Sequence, residues 1–432
     1  MKRNLCIGGI FVALIIALGL GSSALKKRAT VEAASVQAPI FEVDPFWPKP
    51  LPNKWILGQV IGISVDSNDH IWMIQRTGTP EANELHAARK VGPNGDLLPQ
   101  VSQCCIQGPP VMEYDEAGNL IGHWGGPGPG YDWPSSEHGI TVDYKGNVWL
   151  GGNGNVRRGA GGVPAEAEMG EGGAAYSGKK AEDDFILKFT QDGKFLMQIG
   201  KPNQSKGSND PDNLKAPAKE FIDKETNELY VADGYGNHRV IVFDADTGKY
   251  KRHWGAYGHV PDDTPPKAYV PTEPPDQQFR NPVHCVIISS DRLVYVCDRE
   301  NDRIQVFHTD GTFVKEQFFD KETLGSGSVW EIAFSKDPAN KYIYLTDGEN
   351  RHVRIIDRDS LTVLTQFGEG GRQPGQFYGV HSISTDSKGN IFTAETYRGQ
   401  RIQKFIYKGI GPVTKFDQGV VWPKTASSPP LN

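Results

Sequence analysis

The sequence has no basic run beyond its N-terminal region, and its net charge is −6 at pH 7. Domains that bind nucleic acid ordinarily carry a basic patch that neutralises phosphates, so a nucleic acid is excluded as an expected partner. Cysteine is scarce, with five residues, whereas glycine (50) and proline (30) are abundant. This composition favours many short strands joined by tight turns over helices.

The segment 1–24 has the order of residues found in an export signal. Lys2 and Arg3 precede an apolar run at 5–20, and small residues follow up to Ala24. We expect cleavage near Ala24. The alternative is an uncleaved membrane anchor, because the apolar run is only slightly short for a membrane span. In that case we expect this segment to be the sole contact of the protein with a membrane. In both cases we expect the folded part outside the cytoplasm, either secreted or periplasmic.

Four cysteines remain after the predicted signal, an even number that suits an oxidising compartment. Cys285 and Cys297 flank a turn symmetrically, so they form either a cross-strand disulfide or two reduced core thiols. The adjacent Cys104 and Cys105 form a vicinal disulfide or stay reduced. Cys6 lies at the start of the apolar run rather than after it, which does not fit a lipoprotein cysteine.

The repeating unit of the chain is a β-hairpin, seen most clearly at 137–152, where a Lys-Gly-Asn turn separates two alternating apolar runs. Variants of it recur and define six units, each about 40 to 50 residues with four strands where insertions are absent, the period of a propeller blade. The sequence therefore predicts an all-β fold, a six-bladed β-propeller at 57–410. An extended lead-in at 25–56 can supply a closing strand, and 411–432 form a C-terminal tail.

Histidine recurs at one position of this repeat. Aligning the first strands places six residues in register: Ile61, His138, Ala218, His284, Trp330 and His381. A single histidine in a repeat protein is usually structural, but only 11 histidines are present, so three at six equivalent positions are improbable by chance. Alternate blades stand about 120° apart, so the imidazoles would converge on the channel. We predict a metal site, with zinc best suited and a fourth position open.

The second strand of each unit ends on the propeller face where the first strand begins. Arg76 follows that strand in the first unit and Tyr235 in the third, which makes both candidate catalytic residues. Taken alone, each is equally well an ordinary surface residue. Acids also end these strands, and we expect them to pair with loop backbone and arginines rather than to catalyse: Asp233, Asp298, Asp347 and Glu395.

The phrases Asp-Gly-Tyr-Gly-Asn-His-Arg-Val at 233–240 and Asp-Arg-Glu-Asn-Asp-Arg-Ile-Gln-Val-Phe at 298–307 resemble the NHL-repeat family of propellers. Within that family, the candidate site resembles peptidyl-α-hydroxyglycine α-amidating lyase, a six-bladed propeller with a central zinc. The resemblance implies three zinc ligands and two catalytic residues. The ligands stand in Glu-His-Gly-Ile, Pro-Val-His-Cys and Gly-Val-His-Ser, and the five residues are His138, His284, His381, Tyr235 and Arg76.

The sequence departs from this family around the third histidine. The family has Met-Pro before it and Asp after it, whereas this chain has Gly379, Val380 and Ser382. In the family the methionine contributes to the substrate site and the acid to a structural calcium. The resemblance therefore supports the fold and zinc better than it supports hydroxyglycine specificity or Ca²⁺.

The chemistry that the resemblance implies is cleavage of a carbinolamide C–N bond in a peptide or small molecule, giving an amide and an aldehyde acid. Zinc would act as a Lewis acid on the substrate hydroxyl, Tyr235 as the base, and Arg76 would stabilise negative charge. Two alternatives stay open. One is a non-catalytic propeller that binds a protein or glycan through the insertions at 77–110 and 151–178. The other is a lactonase-like hydrolase, although such sites typically hold calcium with acids and asparagine.

Overall fold

The structure is a computed structural model, and it describes four stretches of the chain: residues 36–81, 83–87, 99–154 and 182–413. The predicted signal at 1–24, most of the Gly-rich insertion at 151–178 and most of the tail at 411–432 lie outside these residues. Within them, no helix has the length and apolar character that a membrane span requires.

The described residues form 26 strands and two single 3₁₀ turns, the turns at Ala256–Gly258 and Arg299–Asn301. In chain order the strands are β1 (Gln37–Asp44), β2 (Trp55–Ile56), β3 (Val60–Val65), β4 (Ile71–Gln75), β5 (Ile106–Gln107), β6 (Val111–Tyr114), β7 (Leu120–Trp124), β8 (Glu137–Val142), β9 (Val148–Gly152), β10 (Phe185–Phe189), β11 (Phe195–Gly200), β12 (Lys219–Asp223), β13 (Glu228–Asp233), β14 (Arg239–Asp244), β15 (Tyr250–Trp254), β16 (Val283–Ile288), β17 (Val294–Asp298), β18 (Arg303–Phe307), β19 (Phe313–Phe318), β20 (Glu331–Phe334), β21 (Tyr342–Asp347), β22 (His352–Asp357), β23 (Thr362–Phe367), β24 (Val380–Thr385), β25 (Ile391–Glu395) and β26 (Arg401–Pro412).

Six antiparallel sheets of four strands each make up the blades, which confirms the predicted all-β, six-bladed propeller. From the inner strand outward, the blades are β3-β4-β6-β7, β8-β9-β10-β11, β12-β13-β14-β15, β16-β17-β18-β19, β20-β21-β22-β23 and β24-β25-β26-β1. Strands β2 and β5 form a separate parallel pair. The sixth blade takes its outer strand from the lead-in, because β1 pairs with β26 from Gln37 opposite Pro412 to Asp44 opposite Lys404. The two ends of the described chain thus close the ring.

The hydrophobic core lies between the blades rather than in one central mass. Six buried clusters each join one blade to the next around the ring. Trp149, for example, is fully buried between blades 2 and 3. Burial of such large side chains fixes the angle between neighbouring sheets and leaves a channel along the axis, where the six inner strands meet.

The predicted hairpin at 137–152 is present as β8 and β9, and its turn shows why this sequence repeats. The Asp143 carboxylate accepts the backbone N–H groups of Lys145 and Asn147 at 2.9 and 2.8 Å. Its other oxygen accepts the Trp149 Nε1–H at 2.9 Å. Gly146 has a φ of +82°, which favours glycine. One aspartate therefore orders both the turn and the core tryptophan beside it.

The acids that end the second strands pair with arginines, as the sequence predicts. The N···O distances are 2.9, 2.7, 2.8 and 2.5 Å in Asp233–Arg239, Asp298–Arg303, Asp347–Arg354 and Glu395–Arg401. These pairs hold the loops that follow the second strands. Both cysteine pairs are disulfides, so Cys285 bonds Cys297 directly across β16 and β17, and Cys104 bonds Cys105.

Candidate metal centre

The three predicted histidines lie at irregular points of three inner strands. In β16 and β24, His284 and His381 are the extra residues of β-bulges, since the register skips them. In β8 the skipped residue is Gly139, directly after His138, with a φ of +64°. A bulge bends a strand and re-aims its side chain. These local irregularities therefore turn the imidazoles toward the axis.

The structure brings the three imidazoles together in the channel. One ring nitrogen from each of His138, His284 and His381 lies within 4.8 Å of the others, and all three side chains are buried. The Nε2 atoms of His284 and His381 are 3.1 Å apart. Two nitrogens on one tetrahedral zinc ion are about 3.3 Å apart, because each Zn–N bond is about 2.0–2.1 Å. The spacing and the donor type are thus compatible with a metal ion.

Backbone carbonyls from the blades without a channel histidine orient two of the rings. His138 Nδ1 donates to the carbonyl oxygen of Ala218 at 2.8 Å, and His284 Nδ1 donates to that of Trp330 at 2.5 Å. A carbonyl oxygen only accepts, so the proton is on Nδ1 and the Nε2 lone pair faces the channel. This is the usual arrangement around a metal-binding imidazole. His381 Nδ1 has no hydrogen-bond partner within the described stretches.

The electrostatics of the site favour neutral imidazoles. Burial, and next the Arg76 guanidinium, hold the pKa of His138 well below its usual range. Burial also lowers the pKa of His381 well below its usual range, with His284 and His138 adding to the effect. A metal binds the neutral form of histidine, so these groups need not lose a proton to coordinate one.

Tyr235 lies against the histidines. It follows β13, as predicted, and its side chain is 6% exposed. Its hydroxyl oxygen lies 3.0 Å from His138 Nε2 and 3.1 Å from His284 Nε2. A group at this distance from two ligand nitrogens also reaches a substrate atom held between them.

Arg299 is a site residue that the sequence analysis missed. It follows β17, so the rule that selected Arg76 and Tyr235 from the ends of second strands would also have found it. Its Nη1 donates to the Tyr235 hydroxyl at 3.1 Å, and its guanidinium lies over the ring of Trp330 at 4.8 Å. With 1% exposure, it brings a buried positive charge to the phenolic oxygen.

Arg76 lies at the same end of the channel and is only partly buried. Its guanidinium donates to the side-chain oxygens of Gln59 and Asn153 at 3.1 and 3.0 Å, and to the backbone oxygen of Glu137 at 3.4 Å. These acceptors are all neutral. Its positive charge is therefore not cancelled by a carboxylate among the described residues, and it remains available to an anionic ligand.

Another histidine and acid group in the described residues is structural. Asp66 accepts the backbone N–H of His70 at 3.0 Å and the Nε1–H of Trp72 at 3.1 Å, and His70 Nδ1 lies 2.8 Å from Glu113 Oε1. This repeats the aspartate turn of blade 2, with His70 in the place of Asn147. These contacts explain the group as part of the fold without a metal ion.

Ser382, which stands where the resembling family has an acid, is fully buried in β24. Its hydroxyl accepts the backbone N–H of Ile63 at 3.0 Å and so joins blade 6 to blade 1. A hydroxyl used in this way is a poor replacement for a carboxylate ligand of calcium. The residues present do not fit the structural calcium that the resemblance implies.

Fold and site together define an all-β six-bladed propeller with a three-histidine group in its channel. No known family profile matches the chain. It is 21% identical over 360 residues to human NHL repeat-containing protein 3, covering 82% of this chain and 79% of that protein. It is 23% identical over 270 residues to peptidyl-glycine alpha-amidating monooxygenase A of Xenopus laevis, covering 60% of this chain and 22% of that protein.

A third relative is peptidyl-alpha-hydroxyglycine alpha-amidating lyase 1 of Drosophila melanogaster, 21% identical over 301 residues, which are 65% of this chain and 47% of that protein. The chain thus spans about a fifth of the Xenopus protein and about half of the Drosophila lyase. Among solved structures, a streptogramin B lyase covers 85% of this chain and 98% of its own, with a TM-score of 0.45 and 14% identity. The chain is an NHL-type six-bladed propeller that resembles the amidating lyases.

Proposed function

We propose that this protein is an exported, zinc-dependent lyase that cleaves the carbinolamide C–N bond of an α-hydroxyglycine-type substrate into an amide and an aldehyde acid. The observation that carries the proposal is the position of the Tyr235 hydroxyl, 3.0 and 3.1 Å from two imidazole nitrogens that face the channel. A structural histidine cluster has no need of a buried phenol at its open side.

The three histidines would hold the metal through Nε2, and the carbonyls of Ala218 and Trp330 would keep two of the rings in place. When bound, zinc supplies Lewis acidity to a substrate hydroxyl. Tyr235 takes the proton from that hydroxyl, and Arg299 stabilises the charge on the tyrosine oxygen through its 3.1 Å hydrogen bond. As the C–N bond breaks, its electron pair goes to the nitrogen, and Tyr235 returns the proton there.

Arg76 would bind the substrate carboxylate. Its guanidinium is held by neutral oxygens and faces the channel end where the histidines lie. A carboxylate bound there places the carbon that bears the hydroxyl group near Tyr235 and orients the bond to be broken. The aldehyde acid product carries the same carboxylate, so Arg76 interacts with substrate and product alike.

We further propose an extracytoplasmic location, with a peptide or small molecule as substrate and no nucleic-acid partner. The order of residues at 1–24 supports export. The two disulfides support an oxidising compartment. If the N-terminal segment is not cleaved, it is the proposed membrane attachment.

The two alternative functions fit the site less well. A binding scaffold does not need neutral, converging imidazoles beside a buried tyrosine and arginine. A lactonase-like calcium site needs carboxylate and amide oxygens, whereas the channel offers three imidazole nitrogens at this level.

The test is release of amide and aldehyde acid from synthetic peptides that end in α-hydroxyglycine. We expect turnover by the zinc-loaded wild type and a loss of at least about 100-fold in kcat for Tyr235→Phe, with unchanged zinc content. Tyr250→Phe, at an exposed position, is the matched control. Full activity of Tyr235→Phe, or no turnover by zinc-loaded wild type, contradicts the proposal.

A further inference from the structure

The channel below the histidines contains a buried ion pair that the proposed chemistry does not use. Lys219 follows Ala218 and Glu331 follows Trp330, so both lie one residue further along the inner strands than the histidine level. Beyond them the channel continues as a cavity of about 290 Å³ lined by later residues of the same strands. The pair thus separates the histidine site from the other end of the channel.

Lys219 of blade 3 makes contacts with three other blades. Its Nζ lies 2.8 Å from Glu331 Oε1 of blade 5. It also lies 3.1 Å from the carbonyl oxygen of Ile140 in blade 2 and 3.4 Å from that of Ile63 in blade 1. The side chains of Lys219 and Glu331 are 13% and 7% exposed. Four of the six blades therefore meet at one ammonium group.

The oxygens around this ammonium are those that a hard divalent cation takes, namely backbone carbonyls and a carboxylate. Here the positive charge at their centre belongs to the chain itself. Ser382 also stands where the amidating lyases have the acid for a structural calcium, and its hydroxyl accepts the Ile63 backbone N–H. An ammonium and a calcium ion cannot share these oxygens.

We propose that the Lys219 ammonium replaces a structural calcium in this propeller. It joins blades 1, 2, 3 and 5 and fixes the start of β12. The preceding residue, Ala218, supplies the carbonyl oxygen that accepts the His138 Nδ1–H. The propeller consequently needs no calcium. This replacement is independent of any reaction at the histidine site.

The first experiment measures thermal unfolding and calcium content of the full chain, prepared in calcium-free, zinc-supplemented buffer. We expect no stoichiometric calcium and no change in Tm when millimolar CaCl₂ is added. Bound calcium at one ion per chain, or a Tm that rises with calcium, overturns the proposal. Both readouts are independent of lyase activity, so they remain informative if the proposed reaction is wrong.

The second experiment compares Lys219→Met with Lys194→Met, whose lysine is exposed. Removing one partner of a buried pair leaves Glu331 with an unpaired buried charge, so we expect a fall of about 5 °C or more in Tm for Lys219→Met only. Lys219→Met/Glu331→Gln should recover part of that loss and serves if the single variant does not fold. Equal Tm values for both single variants, or no recovery in the double variant, contradict the proposal.

Discussion

Replacing Glu220 with glutamine should remove a large part of the pH dependence of folding stability. Glu220 lies on β12 with 1% exposure, and neither of its side-chain oxygens has a hydrogen-bond partner in the stretches that the structure describes. Two glycines leave room for its carboxyl group. A Cβ atom at Gly139 or Gly151 would come within 3.1 or 2.8 Å of a Glu220 side-chain oxygen. Burial raises the pKa of Glu220 to about 7, against a smaller lowering by the Lys219 ammonium.

The sign follows from the direction of this shift. The folded-state pKa lies above the ordinary value of 4.5, so the folded state binds the proton more tightly than the unfolded state does. The stability from this group is fully present below pH 4.5 and is lost as the pH rises to about 7. One pKa unit corresponds to about 1.4 kcal/mol, so the loss is on the order of 3 kcal/mol.

The assay is thermal or urea unfolding of wild type and Glu220→Gln across this pH range, with Glu273→Gln at an exposed position as control. Between pH 4.5 and 7, we expect the free energy of unfolding of Glu220→Gln to rise by about 3 kcal/mol relative to that of wild type. Above pH 7 the difference between the two proteins should stay constant. Glutamine does not ionise, so the variant lacks the pH dependence that this group gives to wild type. Any effect of the substitution that is independent of pH cancels when the change between two pH values is compared. Parallel curves throughout the range would refute the reasoning.

Three further predictions concern the site and the frame that holds it. Arg299→Met should lower kcat of the proposed lyase reaction about 100-fold without loss of the proposed zinc, because the Tyr235 hydroxyl loses its charged donor; kinetics with metal analysis checks this. Asp298→Asn should lower the free energy of unfolding by about 3 kcal/mol, since it removes the buried carboxylate at 2.7 Å from Arg303 and leaves the more distant Glu316, at 3.3 Å, to offset the charge of the arginine; urea unfolding measures it. Replacing Cys285 and its partner cysteine with alanine should cost about 3 kcal/mol in the same assay, because the bond closes a loop with a sequence separation of 12.

The fold was predictable because the turn residues and strand patterns that specify it are local in the sequence and are repeated. Each hairpin carries its own polar turn and its own alternating strand pattern, as in the turn at Asp143. The same regularity made His138, His284 and His381 visible, since a repeat in register places equivalent residues around one axis. Tyr235 stood out because it follows a second strand on the same face.

The other contacts of the site could not be predicted from the sequence. They involve backbone atoms, or side chains that are far apart in the chain. Any residue has a carbonyl, so no side-chain pattern shows that Ala218 and Trp330 orient two histidines. The Lys219–Glu331 pair joins blades 3 and 5, and neither blade alone gives a reason for a buried charge. Arg299 differs, since it directly follows the second strand of the fourth blade, the same kind of position that identified Arg76 and Tyr235.

The measurement that tests the central claim most directly is metal content by elemental mass spectrometry on purified, tag-free protein. Wild type should contain about one zinc per chain, and the His138→Ala/His284→Ala/His381→Ala variant should contain none while keeping the β-rich circular dichroism spectrum of the propeller. Wild type that contains no zinc and takes up none when zinc is added, or a triple variant that keeps its zinc, would contradict a metal site in the channel.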